Sequence, residues 1–321
     1  MKESYFISID SLQDILRCAN LASLLEVSGH PKPGNVHRTQ DFKGTRFEHF
    51  LAGTAAILPN LWDLIQRTYE SQNPGQTNYS QINLGAFFKN AASEMVKWQK
   101  GGNVMLGHIL ILGPLVATCA ACLKNNTKSF IDFSNTLYSI IDNATVEDTL
   151  LLYEAITTCN PGGLGSVDQY DLNHKNSIKE IQKKKIKLLD IFNLSKERDL
   201  ISKEYSTGFN VILIEGFPYY MEEFKKTKDI NIATVNTYLK LLSEHEDSLV
   251  IRKSGLVEAK KLSKRALEIV KKGGLSSSIG SELTVEFDSE LHEKNGKLNP
   301  GTTADLIAGI IFCALIFGLK F

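Results

Sequence analysis

The segment Gly107-His-Ile-Leu-Ile-Leu-Gly-Pro-Leu-Val-Ala-Thr-Cys-Ala-Ala-Cys-Leu123 is apolar along almost its whole length, but it contains a histidine and a proline. A helix that crosses a bilayer needs about 20 consecutive apolar residues, and this run is shorter. We therefore interpret it as a helix buried in a protein core. The run from Ala304 to Leu319, which carries Asp305 near its start, is interpreted in the same way, with a C-terminal tail anchor as the alternative.

Helical periodicity extends to both sides of this segment. Leu12, Ile15, Ala19 and Ala22 recur at spacings of three and four residues. Residues typical of helix N-caps precede this and further helical patterns: Asp10, Thr45 with Glu48, Thr145 with Asp148, Ser195, and Thr302 with Thr303. Glycines are predicted to end two of these helices: Gly208 after the helix from Ser195 to Thr207, and Gly273-Gly274 after the helix from Lys253 to Lys272.

Strand signals are sparse. Only Asn210 to Glu215 and Leu249 to Ile251 are rich in β-branched residues, and no strand–helix–strand rhythm recurs. The predicted fold class is therefore all-α. Because no internal repeat or linker marks a boundary, residues 1–321 are predicted to form one large multi-helix domain with active-site loops at helix ends.

The composition indicates a globular protein. Hydrophobic residues make up 43% of the 321 residues and charged residues 22%, which supports a sizeable core and argues against disorder. The 36 basic and 36 acidic residues balance, whereas a general nucleic-acid binder normally carries a basic excess. The five cysteines form no zinc-type cluster, and the N-terminus has no apolar signal segment. We expect a reduced, cytoplasmic protein without a membrane or nucleic-acid partner.

The first candidate site begins at Glu26, which falls on the apolar stripe of the first predicted helix. A carboxylate at a buried position is costly unless it is paired or functional. The turn Pro31-Lys-Pro-Gly34 that follows is stiff. It is predicted to present basic and polar side chains that suit a phosphate: Lys32, Asn35, His37 and Arg38. A helix end followed by a solvated basic turn is the alternative interpretation.

Two glycine-containing segments are weaker candidates. Asn103 and Gly107 stand at the start of the apolar helix, where N–H groups attract anions, although capping and tight packing explain them equally well. Pro161-Gly-Gly-Leu-Gly165 precedes Asp171, and this arrangement could approach a nucleotide closely and hold a divalent cation. A glycine-rich turn before a helix-capping acid is the alternative.

Two further segments carry charges near predicted helix ends. Arg198, Ser202 and Tyr205 form a polar stripe, which is either a pocket wall or a solvated face. Asn299-Pro-Gly-Thr-Thr-Ala-Asp305 precedes the last apolar helix, and its small neighbours would allow Asp305 to point into an enclosed site. An acid and two bases also stand close together upstream: Asp247, Arg252 and Lys253.

Taken in order, these motifs resemble the triphosphoribosyl-dephospho-CoA synthase family. The matching positions run along nearly the whole chain: Glu26-Val27, Pro31-Lys-Pro-Gly34, Gly102-Asn103 with Gly107, Pro161-Gly-Gly-Leu-Gly165 with Asp171, Glu197-Arg-Asp-Leu200, Asp247 with Arg252-Lys253 and Gly255, Phe287-Asp288, and Asn299-Pro-Gly-Thr-Thr-Ala-Asp-Leu306. The first and last motifs are specific to the family, and the middle ones gain weight from their order.

The resemblance implies an all-helical transferase that moves the triphosphoribosyl part of ATP to the ribose 2′-hydroxyl of dephospho-CoA and releases adenine. The product is the precursor of an acyl-carrier-protein prosthetic group. Such a reaction develops oxocarbenium character, and it needs proton transfer and cations on the triphosphate. The implied catalytic residues are Glu26, Asp171 and Asp305, of which Asp171 and Asp305 are also candidate Mg²⁺ ligands. The implied nucleotide-binding residues are Lys32, Gly34, Asn35, Arg38, Asn103, Gly107, Gly163, Gly165, Arg198, Lys253, Asn299, Gly301 and Thr303.

The chain departs from the better-known bacterial branch of that family at two places. Asp41-Phe-Lys-Gly-Thr-Arg-Phe-Glu-His49 stands where that branch has a Gly-x-His-x-Asp segment, and Leu106 stands at the position of a lysine. The departures indicate a divergent branch, in which the acceptor could be another alcohol. A catalytically weak nucleotide- or CoA-binding regulatory protein on the same scaffold is the alternative.

Overall fold

The computed structural model describes residues 5–72, 78–162, 169–172, 174 and 176–321, and these contain helices and no strand. The all-α prediction is therefore confirmed. The α-helices are α1 (Leu12–Ser28), α2 (Phe47–Ser71), α3 (Leu84–Lys97), α4 (Leu106–Asn125), α5 (Phe130–Asn143), α6 (Val146–Cys159), α7 (Ser177–Lys184), α8 (Leu188–Ser195), α9 (Leu200–Thr207), α10 (Phe217–Thr227), α11 (Ile230–Glu244), α12 (Ser248–Ser254), α13 (Leu256–Lys271), α14 (Ser278–His292) and α15 (Gly301–Ile316).

The two apolar runs form the centre of the fold. Helix α4 is buried from Leu106 to Cys122, and α15 packs against it and is buried along most of its length. By length and composition α4 could cross a membrane, but 94% of its apolar window is buried inside the protein. At 20 residues it is also longer than the apolar run that predicted it. Burial on all sides explains why neither helix has a polar face.

Several helices begin at a residue other than the predicted one. Ser11 rather than Asp10 caps α1, because its hydroxyl accepts the N–H of Asp14 at 3.1 Å. Thr145 caps α6 as predicted, with Asp148 completing the capping box. The other corrected caps are Arg46 instead of Thr45 for α2, Asp199 instead of Ser195 for α9, and Pro300 instead of Thr302 or Thr303 for α15.

The predicted helix from Ser195 to Thr207 is two helices, because α8 ends at Ser195 and α9 begins at Leu200. Gly208 ends α9 in the left-handed conformation, as predicted. The segment from Lys253 to Lys272 is likewise divided at Gly255, whose φ is +88°. Local periodicity did not reveal either break, since apolar residues continue at helical spacing across both.

The β-rich segment after α9 is a π-helix, Val211–Gly216. Glu204, fully buried in α9, accepts the N–H groups of Val211 and Ile212 at 2.9 Å each. Burial raises the pKa of Glu204 to about 7, even though both backbone hydrogen bonds oppose the rise. A carboxylate from the preceding helix thus supplies the acceptors for two N–H groups at the start of this π-helix.

Two sets of hydrogen bonds fix the start of α15 and the loop after α1. Asp247 caps α12 through the N–H groups of Leu249 and Val250, and its other oxygen accepts both the N–H and the hydroxyl of Thr303, at 2.7 and 2.8 Å. This carboxylate therefore fixes the start of α15. The loop after α1 is held on α11, where the Tyr238 hydroxyl donates to the carbonyl of Pro33 at 2.8 Å.

Candidate active site

A cavity of ≈ 1430 Å³ opens where α1, α4, α9, α12 and α15 end or begin. Small-molecule pockets commonly measure about 300–1,000 Å³, so this one has room for two substrates. Its polar wall includes residues from each of the predicted motifs: Glu26, Lys32, Asn35, Asn103, Gly107, Asp171, Arg198, Lys253, Asn299, Gly301 and Asp305. Side chains from α6, α8 and α12 add an apolar wall: Leu152, Ile156, Ile191, Phe192, Leu249 and Ile251.

A buried ionic cluster forms the floor of the cavity. The Lys32 ammonium group forms an ion pair with the Glu26 carboxylate, and it also donates to the Glu26 backbone carbonyl at 2.7 Å. The His108 Nε2 atom lies 3.3 Å from Glu26 Oε2, a distance of ionic contact without hydrogen-bond geometry. All three side chains are buried. The stiff turn thus folds Lys32 back onto the end of its own helix.

Burial alone would raise the pKa of Glu26, but Lys32 and His108 more than offset this and hold it below its ordinary value. Two opposing effects also act on His108. Burial lowers its pKa, but the Glu26 carboxylate more than compensates, so the pKa of His108 lies above its ordinary value. Glu26 is therefore ionised at neutral pH. A charged carboxylate at this buried position is tolerated because Lys32 and His108 offset the cost of its burial.

Asp305 faces this cluster from the first turns of α15. It is partly exposed to the cavity, and burial on its other sides raises its pKa to about 7. His108 and Lys32 oppose that rise, whereas the carboxylates of Glu26 and Asp247 add to it. With a pKa close to neutral, Asp305 can both hold and release a proton there.

Gly107 makes room for this carboxylate. A Cβ atom built at position 107 would lie 2.7 Å from Asp305 Oδ1 and closer still to Oδ2. The sequence predicted that Gly107 allows a close approach, and the structure places the Asp305 carboxylate in that space. The start of α4 and the start of α15 therefore meet at this point.

Basic side chains line the cavity further from the floor. Arg198 and Lys253 are exposed there, and the Lys253 ammonium group donates to the carbonyl of Gly296 at 3.2 Å. Burial, and then the charge of Arg252, lower the pKa of Lys253. Arg252 Nη1 is paired with Asp199 Oδ2 at 2.6 Å. These three bases form a positively charged wall suited to phosphate oxygens.

Several buried polar atoms of the cavity lack a hydrogen-bond partner among the described residues. They are the His108 Nδ1 atom, the Asn299 Oδ1 atom and the Arg252 Nε atom, whereas His108 Nε2 has its 3.3 Å contact with Glu26 Oε2. Buried polar groups are nearly always paired, and an unsatisfied one costs roughly 1–3 kcal/mol. A polar ligand bound in the cavity would supply partners for these atoms.

The structure does not bring every predicted residue to the cavity. Arg38 is exposed and donates to His30 Nδ1 at 2.6 Å, away from the lining. Gly34 has a φ of +76° and donates its N–H to Asp288, and Thr303 is engaged by Asp247. Arg38, Gly34 and Thr303 do not line the cavity, and their part in nucleotide binding stays a prediction. Gly163 and Gly165 lie outside the described residues.

Sequence reasoning missed His108 as a site residue. In the sequence it only interrupts an apolar run, and nothing local distinguishes it from a core histidine. The useful signal was its position beside Gly107 at the start of a helix that is otherwise apolar. Leu106, which replaces the lysine of the bacterial branch, also lines the cavity.

Comparisons with known proteins all identify the same family. The model of the family described as ATP:dephospho-CoA triphosphoribosyl transferase matches residues 12–320. A Vibrio cholerae protein named a probable 2-(5″-triphosphoribosyl)-3′-dephosphocoenzyme-A synthase is 26% identical over 297 residues, 89% of this chain and 83% of that protein. The Klebsiella pneumoniae synthase of the same name is 29% identical over 105 residues, 33% of this chain and 34% of that protein.

A solved structure is similar as well. The crystal structure of a candidate triphosphoribosyl-dephospho-CoA synthase from Archaeoglobus fulgidus has a TM-score of 0.64 and 26% sequence identity to this chain. The match covers 84% of this chain and 100% of the other. The fold therefore agrees with that of a protein whose name matches the family.

Proposed function

Because this chain belongs to the ATP:dephospho-CoA triphosphoribosyl transferase family, we propose that it transfers the triphosphoribosyl group of ATP to the ribose 2′-hydroxyl of dephospho-CoA or of a related alcohol. The bond from the donor ribose C1 to adenine N9 breaks, and a bond from C1 to the acceptor oxygen forms. The acceptor proton passes to a base of the protein, and adenine leaves after taking up a proton.

The observation that carries this proposal is the pairing of two unlike carboxyl groups beside one cavity. Glu26 is held ionised by Lys32 and His108, whereas burial raises the pKa of Asp305 to about 7. Two carboxyl groups whose environments separate their pKa values are the usual arrangement for proton transfer at a glycosidic bond. Asp305 is suited to exchange a proton with the acceptor or with the leaving adenine. Glu26 is suited to stabilise the positive charge that develops on the ribose.

The basic wall is suited to the triphosphate. Arg198 and Lys253 are exposed to the cavity, and Arg252 is already oriented by Asp199. Lys32 is committed to Glu26, so its charge acts mainly on the floor. We assign the phosphates to Arg198 and Lys253 for this reason. The acceptor and the adenine ring of ATP would then lie toward the apolar wall.

Mg²⁺ fits this donor set as a partner of the nucleotide. Asp171 and Asp305 both line the cavity, and Mg²⁺ typically binds one or two carboxylates together with substrate phosphates and water. We assign the ion to Asp171, because a carboxylate bound to Mg²⁺ would stay ionised and Asp305 could then no longer carry a proton. The bound ion would neutralise part of the triphosphate charge. We propose ATP and Mg²⁺ as the required ligands, and the use of ATP favours a cytoplasmic location.

The test is adenine release from ATP, Mg²⁺ and dephospho-CoA, measured by chromatography. Wild-type protein is expected to release adenine, and Glu26→Gln and Asp305→Asn are expected to lose it by about 10²–10⁴-fold, the usual contribution of acid–base groups. Glu222→Gln, at an exposed ion pair with Lys226, is the matched control and keeps full activity.

If the protein bound the nucleotide but released no adenine with dephospho-CoA or with any of a panel of alcohols as acceptor, the proposed transferase function would be refuted. It would instead support the alternative of a weakly catalytic nucleotide-binding protein, for which the replacement of the expected lysine by Leu106 is the motivating feature.

A further inference from the structure

A second cluster of polar side chains lies outside the cavity, on the far side of the Pro-Lys-Pro-Gly turn. His37 comes from the loop after α1, and Asp288 and His292 come from one face of α14, four residues apart. His37 Nε2 is 3.0 Å from Asp288 Oδ2, and His292 Nδ1 is 3.0 Å from Asp288 Oδ1. One ligand atom from each of the three side chains lies within 4.8 Å of the others.

The cluster is enclosed and oriented. The side chains of His37 and His292 are 1% and 6% exposed, and that of Asp288 is 12% exposed. The other ring nitrogen of His37, Nδ1, is 3.1 Å from the Thr39 hydroxyl. Asp288 Oδ1 also accepts the N–H of Gly34 at 3.0 Å. Outer partners of this kind are what fix the ring and carboxylate orientation of metal ligands.

One atom of the cluster is poorly satisfied. The Nε2 atom of His292 is buried and makes no hydrogen bond of regular geometry to the described residues, although the backbone of Asn35 lies close to the ring. The Phe42 ring packs against the imidazole at a centroid distance of 5.3 Å. Because an unsatisfied buried nitrogen is costly, the hydrogen-bonded network alone leaves this histidine incompletely explained.

A small cavity gives this cluster its own access to solvent. It measures ≈ 360 Å³ and is lined by Gln40, Asp288, Ser289, His292 and Glu293. None of these residues lines the large cavity. A water molecule, or the Glu293 carboxylate after a side-chain rotation, could occupy a fourth ligand position there.

We propose that His37, Asp288 and His292 form a structural binding site for a transition-metal dication of the zinc class. Two imidazoles and one carboxylate suit Zn²⁺, with bonds of about 2.0–2.2 Å and a fourth ligand from water. This donor set is unlike the oxygen-only set that Mg²⁺ prefers. The site is therefore chemically and spatially distinct from the proposed nucleotide site.

The position of the ion gives it a defined effect. Gly34 and His37 belong to the same loop as Lys32 and Asn35, which line the large cavity. A metal that joins His37 to α14 would hold that loop in place from behind. It would stabilise the fold without taking part in the transfer reaction.

The test uses the full chain, stripped with a chelator and dialysed, and then titrated calorimetrically with ZnCl₂ alone. One equivalent of Zn²⁺ is expected to bind and to raise the melting temperature. His292→Phe keeps the ring packing but removes a ligand, and Asp288→Asn removes the carboxylate. Each is expected to weaken Zn²⁺ binding by about 100-fold or more, since even outer-shell changes cost 10–100-fold.

His245→Asn is the matched control, because His245 is also partly buried and paired with a carboxylate, Glu215, at 2.7 Å. It is expected to bind Zn²⁺ like the wild type. Absence of a stoichiometric site in wild-type protein would overturn the proposal and leave a hydrogen-bonded network only. Unchanged binding in correctly folded His292→Phe and Asp288→Asn would overturn it as well. Since no nucleotide is involved, neither result depends on the transferase reaction.

Discussion

Replacement of Gly107 by alanine tests the geometry of the proposed proton carrier. The new methyl group would lie 2.7 Å from Asp305 Oδ1 and closer to Oδ2, whereas ordinary van der Waals contact begins at 3.4 Å. The carboxylate must therefore move away from position 107 by roughly 1 Å or more, and a displacement of about 1 Å at a reacting group can cost about 10²-fold in rate. We expect kcat for adenine release to fall by about 100-fold.

The same substitution is expected to leave the fold intact. Glycine in a helix costs about 0.5–1 kcal/mol relative to alanine, and the clash is with the end of a side chain that can rotate. The melting temperature should therefore change little.

Gly113→Ala, in the same helix, is the matched control. Its new methyl group would lie 2.9 Å from the rings of Phe87 and Phe88 in the core. This variant should lose stability while its folded fraction keeps wild-type kcat. If Gly107→Ala retained activity within about threefold of the wild type, Asp305 could not be the positioned proton carrier.

Three further predictions concern charge. Burial raises the Asp305 pKa from 3.8 to about 7, so the native state holds this proton more tightly and loses stability as pH rises from about 4 through 7. Asp305→Asn should thus be more stable relative to wild type at pH 8 than at pH 5, and melting curves that differ equally at both pH values would contradict this. Lys32→Met removes the ammonium partner of buried Glu26 and should cost about 3–5 kcal/mol in chemical denaturation; a loss below about 1 kcal/mol would show that Glu26 is not charged there. Arg198→Ala and Lys253→Ala should raise KM for ATP about 10-fold or more, with a smaller change in KM for the acceptor, because charge-assisted hydrogen bonds contribute about 1.5–3 kcal/mol each. An increase confined to KM for the acceptor would show that the triphosphate binds elsewhere in the protein.

The fold class could be predicted because helical periodicity and capping residues are local properties. The runs that became α4 and α15 carry no polar face, so their burial followed from composition alone. Helix boundaries were less predictable where a contact from elsewhere decides them. The Glu204 carboxylate accepts N–H groups at the start of the Val211–Gly216 segment, whose residues favour a strand but form a π-helix.

The candidate site was only partly predictable for the same reason. Glu26 and Asp305 were expected from their unusual positions on apolar helices, and both line the cavity. That Gly107 accommodates Asp305 depends on a contact between residues 198 positions apart, which no local pattern encodes. His37 and Arg38 were expected to face a phosphate, but the turn directs His37 to Asp288 and Arg38 to His30.

The central claim is tested most directly by the fate of the acceptor. Dephospho-CoA is incubated with ATP, Mg²⁺ and the protein, and its intact mass is measured by mass spectrometry together with the amount of adenine formed. The account predicts that one triphosphoribosyl group is gained by the acceptor for each adenine released, and that Asp305→Asn forms neither. Bound ATP with an acceptor of unchanged mass, or adenine release without acceptor modification, would contradict it.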